Sequence, residues 1–122
     1  MINCLVVGIG GFIGSIFRYL FSKLTIIKGS FPLNTLLINI IGSLAIGIIA
    51  ALALKNLDLD EKTVLFLKVG ICGGFTTFST FALDSFELIN KGDYLGSFLY
   101  ILLSIVLSII CIYLGFYVVK RL

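Results

Sequence analysis

The stretch Gly70-Ile71-Cys72-Gly73-Gly74-Phe75-Thr76-Thr77-Phe78-Ser79-Thr80-Phe81 decides the fold. It lies inside an apolar segment, yet two adjacent glycines followed by two β-branched threonines make a poor helix interior. Gly gives up most backbone entropy there and Thr loses rotamer freedom. The pattern predicts a helix broken around residues 73–77. At such a break the terminal N–H and C=O groups lose their intrahelical partners, and at membrane depth irregular backbone is tolerated only where protein buries it or a wet cavity meets it. The carbonyl end of the first half can coordinate a cation, while the N-terminus of the second presents N–H groups and a positive dipole to an anion.

Composition places this break in a bilayer. The chain has 122 residues, 60% of them hydrophobic and only 12% charged, with a mean hydropathy of +1.21. An ordinary soluble domain carries roughly 25% charged residues. A spanning helix needs about 20 mostly apolar residues, and four such segments fall near 3–24, 33–54, 62–88 and 94–119. Little chain is left for a soluble catalytic domain, and the short connections make consecutive helices antiparallel neighbours. The amino terminus lacks the basic region of a signal peptide, so the first helix is expected to stay. Cys4, Cys72 and Cys111 each sit in an apolar run, with no C-x-x-C pair and no histidine, and read as small core residues rather than as zinc or redox ligands.

The other segments carry polar residues at helical spacing. In the first, Gly8, Gly11, Ser15, Arg18 and Ser22 share a face and Gly10-x-x-x-Gly14 adds a small-residue pair for close packing. A dinucleotide loop is rejected for these glycines, since no strand precedes them. Arg18 either snorkels to the interface or collects anions at a vestibule. Pro32 suits the first turn of the second helix, where Thr35, Asn39 and Ser43 recur at i, i+4 and i+8 beside Gly42 and Gly47. Asn39 must find partners in mid-membrane, as interhelical glue or as a pore-lining donor. The loop Lys55–Lys62 holds solvated charges, with Asp58 or Asp60 able to cap the third helix. Beyond the break Phe75, Phe78 and Phe81 step by three, either as a packing stripe or with positive ring edges turned into a dry passage, and the hydroxyls of Ser79 and Thr80 can donate alongside. Asp84 and Glu87 read as interfacial. In the fourth helix Ser97, Tyr100, Ser104 and Ser108 form a stripe that either bonds its own backbone or offers a row of donors to an anion shedding water.

These residues resemble the CrcB/Fluc family of fluoride-specific channels. The carrying motifs are residues 10–19 (Gly-Gly-Phe-Ile-Gly-Ser-Ile-Phe-Arg-Tyr), Asn39-Ile40-Ile41-Gly42-Ser43, and Cys72 through Phe81. The resemblance spans essentially the whole chain, with helix four matching mainly through its polar stripe; Asn34 stands where relatives often have glycine. It implies an all-α membrane protein of four transmembrane helices with a broken third helix, assembled as an antiparallel, dual-topology homodimer with two fluoride pores. It implies a structural sodium ion at the dimer centre, held by the backbone carbonyls of Gly73 and Thr76. Phe78 and Phe81 would line the pores by their ring edges, Asn39 would donate to fluoride, and Arg18 would sit at a vestibule. Ser79, Thr80, Tyr100, Ser104 and Ser108 would supply a polar track. The implied activity is passive exit of toxic cytoplasmic fluoride through the plasma membrane. A negative interior drives it by ~2.3 kcal/mol per 100 mV. No enzyme chemistry and no nucleic-acid partner are implied. Two rivals use the same helices: a small proton-coupled exporter, which wants a membrane-embedded carboxylate, and a non-transporting assembly subunit, which leaves the polar stripes unexplained.

The charge count bears on assembly. Lys55, Lys62, Lys120 and Arg121 fall on one side of a four-span topology and Lys23, Lys28 and Lys91 on the other, while Lys68 and Arg18 add one to each. So even a balance gives almost no orientation by the positive-inside rule, and charge alone leaves a single topology and insertion in both orientations open. If both orientations are used, adding three lysines to one loop fixes the orientation and abolishes function, and coexpression with an oppositely biased copy restores it. Full activity from the single biased variant would exclude the antiparallel assembly.

Overall fold

A computed structural model describes residues 1–26, 28–55 and 58–122. The reading of Asn56 and Leu57 as part of a solvated loop lies outside these residues. Among the described residues four helices are long and apolar enough to cross a membrane: helix one (Ile2–Ser22), helix two (Leu33–Leu54), helix three (Glu61–Asn90) and helix four (Tyr94–Arg121). The protein is a multi-pass integral membrane protein, and no strand occurs among the described residues. The apolar side chains of helices one and four largely face outward, as lipid permits.

Several helix ends have an identifiable stop. Helix one ends at Ser22, two residues short of the expected boundary, where the Asn34 side-chain amide donates to the carbonyls of Phe21, Ser22 and Leu24 at 3.3, 3.2 and 2.6 Å. Pro32 stands immediately before helix two. Asp60, rather than Asp58, caps helix three through the N–H of Thr63 at 3.3 Å. The Thr63 hydroxyl also donates to it and holds its carboxyl below the usual range. Asp93 caps helix four through the N–H of Gly96 at 2.8 Å. At the far end the Lys55 ammonium donates to the Val119 carbonyl at 2.8 Å, where a cation suits the helix dipole.

Glycine contacts set the packing. Helix two runs along helix four through Gly47 and Gly115; a Cβ on Gly47 would lie 2.6 Å from the Ile112 carbonyl oxygen, and one on Gly115 2.7 Å from the Ile48 nitrogen. Helix one runs along the first arm of helix three, where a Cβ on Gly10 would meet Gly70 Cα at 2.8 Å and one on Gly14 the Ile71 carbonyl oxygen at 2.1 Å. This is the close approach of backbones that small residues permit in membranes. A small core of Leu36, Phe81, Leu88 and Tyr100 joins helix two to the second arm of helix three and to helix four.

Helix three departs from the expected course in one way and follows it in another. Its first arm is a π-helix over Leu65–Cys72, a form that hydrophobic periodicity does not announce. The break falls within the expected residues 73–77: Gly73–Phe75 are helical, Thr76 and Thr77 are extended, and the helix resumes at Phe78. Gly74 serves contact instead, since its Cβ would lie 2.5 Å from the Gly11 carbonyl oxygen. The β-branched threonines, which favour extended backbone, carry the break.

The glycine contacts can be tested against each other. Gly14→Ala forces two backbones apart and should lower stability by about 1–3 kcal/mol, whereas Gly8→Ala, with nothing within 4 Å of its added Cβ, should cost nothing. Thermal midpoints of the two detergent-solubilised variants measure the difference, and equal midpoints would contradict the packing.

Candidate functional site: the helix break and its two cavities

The break is braced from helix two. Asn39 reaches Thr77 with both ends of its amide: the Thr77 N–H donates to Asn39 Oδ1 at 2.8 Å and Asn39 Nδ2 donates to the Thr77 carbonyl at 3.0 Å. The hydroxyl of Thr77 accepts from the N–H of Thr80 at 3.1 Å and so caps the second arm. Thr76 closes the first arm, its N–H and hydroxyl both donating to the Cys72 carbonyl, at 2.9 and 2.8 Å.

The break takes the helical donors from four carbonyls, those of Gly73, Gly74, Phe75 and Thr76, and for Gly73 and Thr76 the lost donor is held by a side chain. In a continuous helix Gly73 C=O would accept from Thr77 N–H and Thr76 C=O from Thr80 N–H. The first donor is taken by the Asn39 side chain and the second by the Thr77 hydroxyl. Gly73 is exposed on the single chain, and only the Lys68 carbonyl oxygen, at 4.0 Å, lies near its Cβ position. Gly42 of helix two makes room for the turn, because a Cβ there would lie 2.1 Å from the Thr76 methyl group.

One cavity of about 320 Å³ opens on the break and is lined by Asn39, Ser43, Thr76, Thr77, Phe78, Phe81, Ser104 and Ser108 with three isoleucines. No charged residue lines it. The Ser104 hydroxyl is buried there without a hydrogen-bond partner, an arrangement that calls for a ligand or water. Phe81 is 9% exposed and Phe78 79% exposed, their ring centroids 5.5 Å apart. A second cavity of about 340 Å³ is lined by Ser15, Arg18, Tyr19, Ser22, Thr35, Ile38, Thr77 and Thr80. Its only cation is Arg18, and no carboxylate lines it. Thr77 borders both.

The polar residues of the sequence stripes are thus divided. Asn39, Phe78, Phe81, Ser104 and Ser108 meet in the first cavity, and Arg18 and Thr80 meet in the second. Ser79 is exposed and lines neither, its hydroxyl 3.4 Å from that of Thr77. Tyr100 lines neither as well; it is 0% exposed, in the core, and donates to Asp84 Oδ2 at 3.1 Å. Asp84, read with Glu87 as interfacial, is half-buried and accepts that bond about 9 Å from the helix end at Asn90 at 1.5 Å per residue, whereas Glu87 is exposed. Ser97 is likewise structural, donating to the Ser85 carbonyl at 3.1 Å. Thr77 escaped the sequence reading, although a threonine three residues before Thr80 at a helix start is a capping signal.

Comparison with known proteins gives the family. The family described as "CrcB-like protein, Camphor Resistance (CrcB)" matches residues 5–116. The chain belongs to the CrcB family. Among relatives of this CrcB protein, the fluoride-specific ion channel FluC of Azobacteroides pseudotrichonymphae genomovar. CFP2 is 46% identical over 112 residues, covering 90% of each chain. The fluoride-specific ion channel FluC 1 of Nitrobacter hamburgensis is 45% identical over 120 residues, covering 95% of this chain and 94% of its own. The FluC of Pyrococcus furiosus is 39% identical over 113 residues, 93% of this chain and 92% of its own.

The brace has a measurable cost of removal. Asn39→Leu strands the N–H and C=O of buried Thr77, each unpaired group costing about 1–3 kcal/mol, so unfolding in detergent should occur at markedly lower temperature. A midpoint equal to that of the wild type would show that the break stands without Asn39.

Proposed function

We propose that this CrcB protein is a fluoride-specific channel that lets toxic cytoplasmic fluoride leave the cell passively, and that it works as an antiparallel, dual-topology homodimer in the plasma membrane with a structural sodium ion at its centre. It transports an ion and is not an enzyme. The observation that carries the reading is the uncharged cavity at the break, with Ser104 unpartnered inside it, in a chain whose relatives are named fluoride-specific channels. A small, strongly hydrated anion must exchange water for directed donors, and conduction requires that nothing bind it too tightly. An amide, hydroxyls and phenyl edges meet both demands. A fixed cation in the cavity would hold the anion; Arg18 lies in the neighbouring cavity, where it would raise the local anion concentration.

The sodium reading rests on the freed carbonyls of Gly73 and Thr76. Two per protomer, doubled by a two-fold axis, supply four uncharged oxygens. Among the described residues no cluster of His, Cys, Asp or Glu could hold a metal, and a site of neutral carbonyls suits a monovalent cation better than a divalent one. The open side of Gly73 and the exposed ring of Phe78 support a second copy seated against this face.

One observation favours a proton-coupled exporter: the half-buried Asp84, which accepts a hydrogen bond from Tyr100. Efflux from fluoride-loaded liposomes separates the two. A channel releases fluoride down its gradient whatever the proton gradient, whereas release that requires opposing protons would establish the exporter. In the same assay Phe78→Ile keeps bulk but removes the ring edge, and should lower flux about tenfold or more with the dimer intact; equal loss of flux and dimer would make the ring a packing element. Sodium should raise the thermal midpoint of the dimer by binding the folded state, and a midpoint indifferent to sodium would remove the ion.

A further inference from the structure

The amide of Asn39 has an orientation that the backbone of the break imposes. Thr77 is extended, with φ −151° and ψ 119°, and an extended residue sends its own N–H and C=O to the same side, as in a hydrogen-bonded pair of an antiparallel ladder. Asn39 fills the place of the opposite strand. Side-chain amide ends can exchange places, but a backbone donor and acceptor cannot. Oδ1 must therefore face the Thr77 N–H and Nδ2 the Thr77 carbonyl, at 2.8 and 3.0 Å. Only the Nδ2 hydrogen on the same side of the amide C–N bond as Oδ1 can close this ring. The other hydrogen, trans to Oδ1, is left over, and Asn39 lines the cavity that also holds Ser104 and Ser108. A reversed amide would set oxygen against oxygen and N–H against N–H, leaving two groups of buried Thr77 unpaired.

We infer that Thr77 is the positioning residue that fixes the polarity of the cavity: its backbone turns Asn39 so that the amide offers the cavity a donor and keeps its acceptor away. An unlocked amide could turn its oxygen to a hydrated cation. The locked one presents a single sign, while the serine hydroxyls, which rotate, adapt to whatever the fixed donor holds. The identity of the anion rests on the fluoride-channel reading above; the lock does not.

The test uses the full chain in detergent with asparagine side chains labelled with nitrogen-15, the Asn39 pair being assigned as the signals absent from Asn39→Ser. On titration with sodium fluoride, the Nδ2 proton trans to Oδ1 should shift and saturate while the cis proton stays in place. Replacing Thr77 by its α-hydroxy acid removes the N–H and keeps the side chain and the carbonyl. In that variant both protons should respond, and fluoride efflux should fall about tenfold, the factor that one ordinary hydrogen bond carries. Response of both protons, or of the cis proton alone, in the wild type would overturn the inference, as would an ester variant with the wild-type response and efflux. If wild-type vesicles pass no fluoride, the channel reading fails and the lock is judged by hydrogen–deuterium exchange. A cis proton exchanging more slowly than the trans proton in the wild type, and equally with it in the ester variant, supports the lock; equal rates in the wild type overturn it.

Discussion

The two hydrogen bonds between the Asn39 amide and the Thr77 backbone are the constraint on which the rest of the structure depends. An interrupted helix in a bilayer leaves polar backbone groups with no water to satisfy them. Asn39 satisfies one donor and one acceptor at the place where the chain is most extended, and Thr77 itself satisfies a third group with its hydroxyl. Helix two can act as the post for this brace because it is held against helix four by Gly47 and Gly115 and because Gly42 leaves space for Thr76. The first arm of helix three is fixed independently, by glycine contacts with helix one. Three separate packing relations thus converge on two residues of extended chain.

The brace itself carries no charge. By diverting the N–H groups of Thr77 and Thr80 to side chains, it leaves the carbonyls of Gly73 and Thr76 without their helical donors and holds the Asn39 amide at a cavity lined by hydroxyls and phenyl rings. No charged residue lines that cavity. This matters for transport, because an ionised partner in a site shielded from water binds strongly and conduction needs departure as much as entry. Arg18 lies in the neighbouring hydroxyl-lined cavity, which shares Thr77 with the first.

Much of this was legible in the sequence because membrane proteins announce themselves by simple rules. Four apolar runs gave four helices, and the glycine and threonine cluster gave the interruption. Its register was less accessible. Within the expected 73–77 the two glycines stay helical, Gly74 in contact with Gly11, and the chain is extended at the two threonines, a choice between the pairs that local propensity does not make. The π-helical arm was invisible for the same reason. Stripes were readable as stripes, yet spacing cannot say where a side chain ends: Ser104 and Ser108 reach the cavity, whereas Tyr100 and Ser97, on the same helix, turn to Asp84 and to the Ser85 carbonyl. Asn34 looked like an incidental departure and proves to hold the end of helix one. Each of these depends on a partner far away in sequence, and periodicity within one helix carries no information about it.

Current through the protein in a planar bilayer tests the central claim most directly. With fluoride as the unequal ion, a passive fluoride channel should reverse at the fluoride equilibrium potential, moving about 59 mV for each tenfold change in the fluoride gradient, and a proton gradient should not displace it. A reversal potential that follows the proton gradient, or that ignores fluoride, would contradict the account.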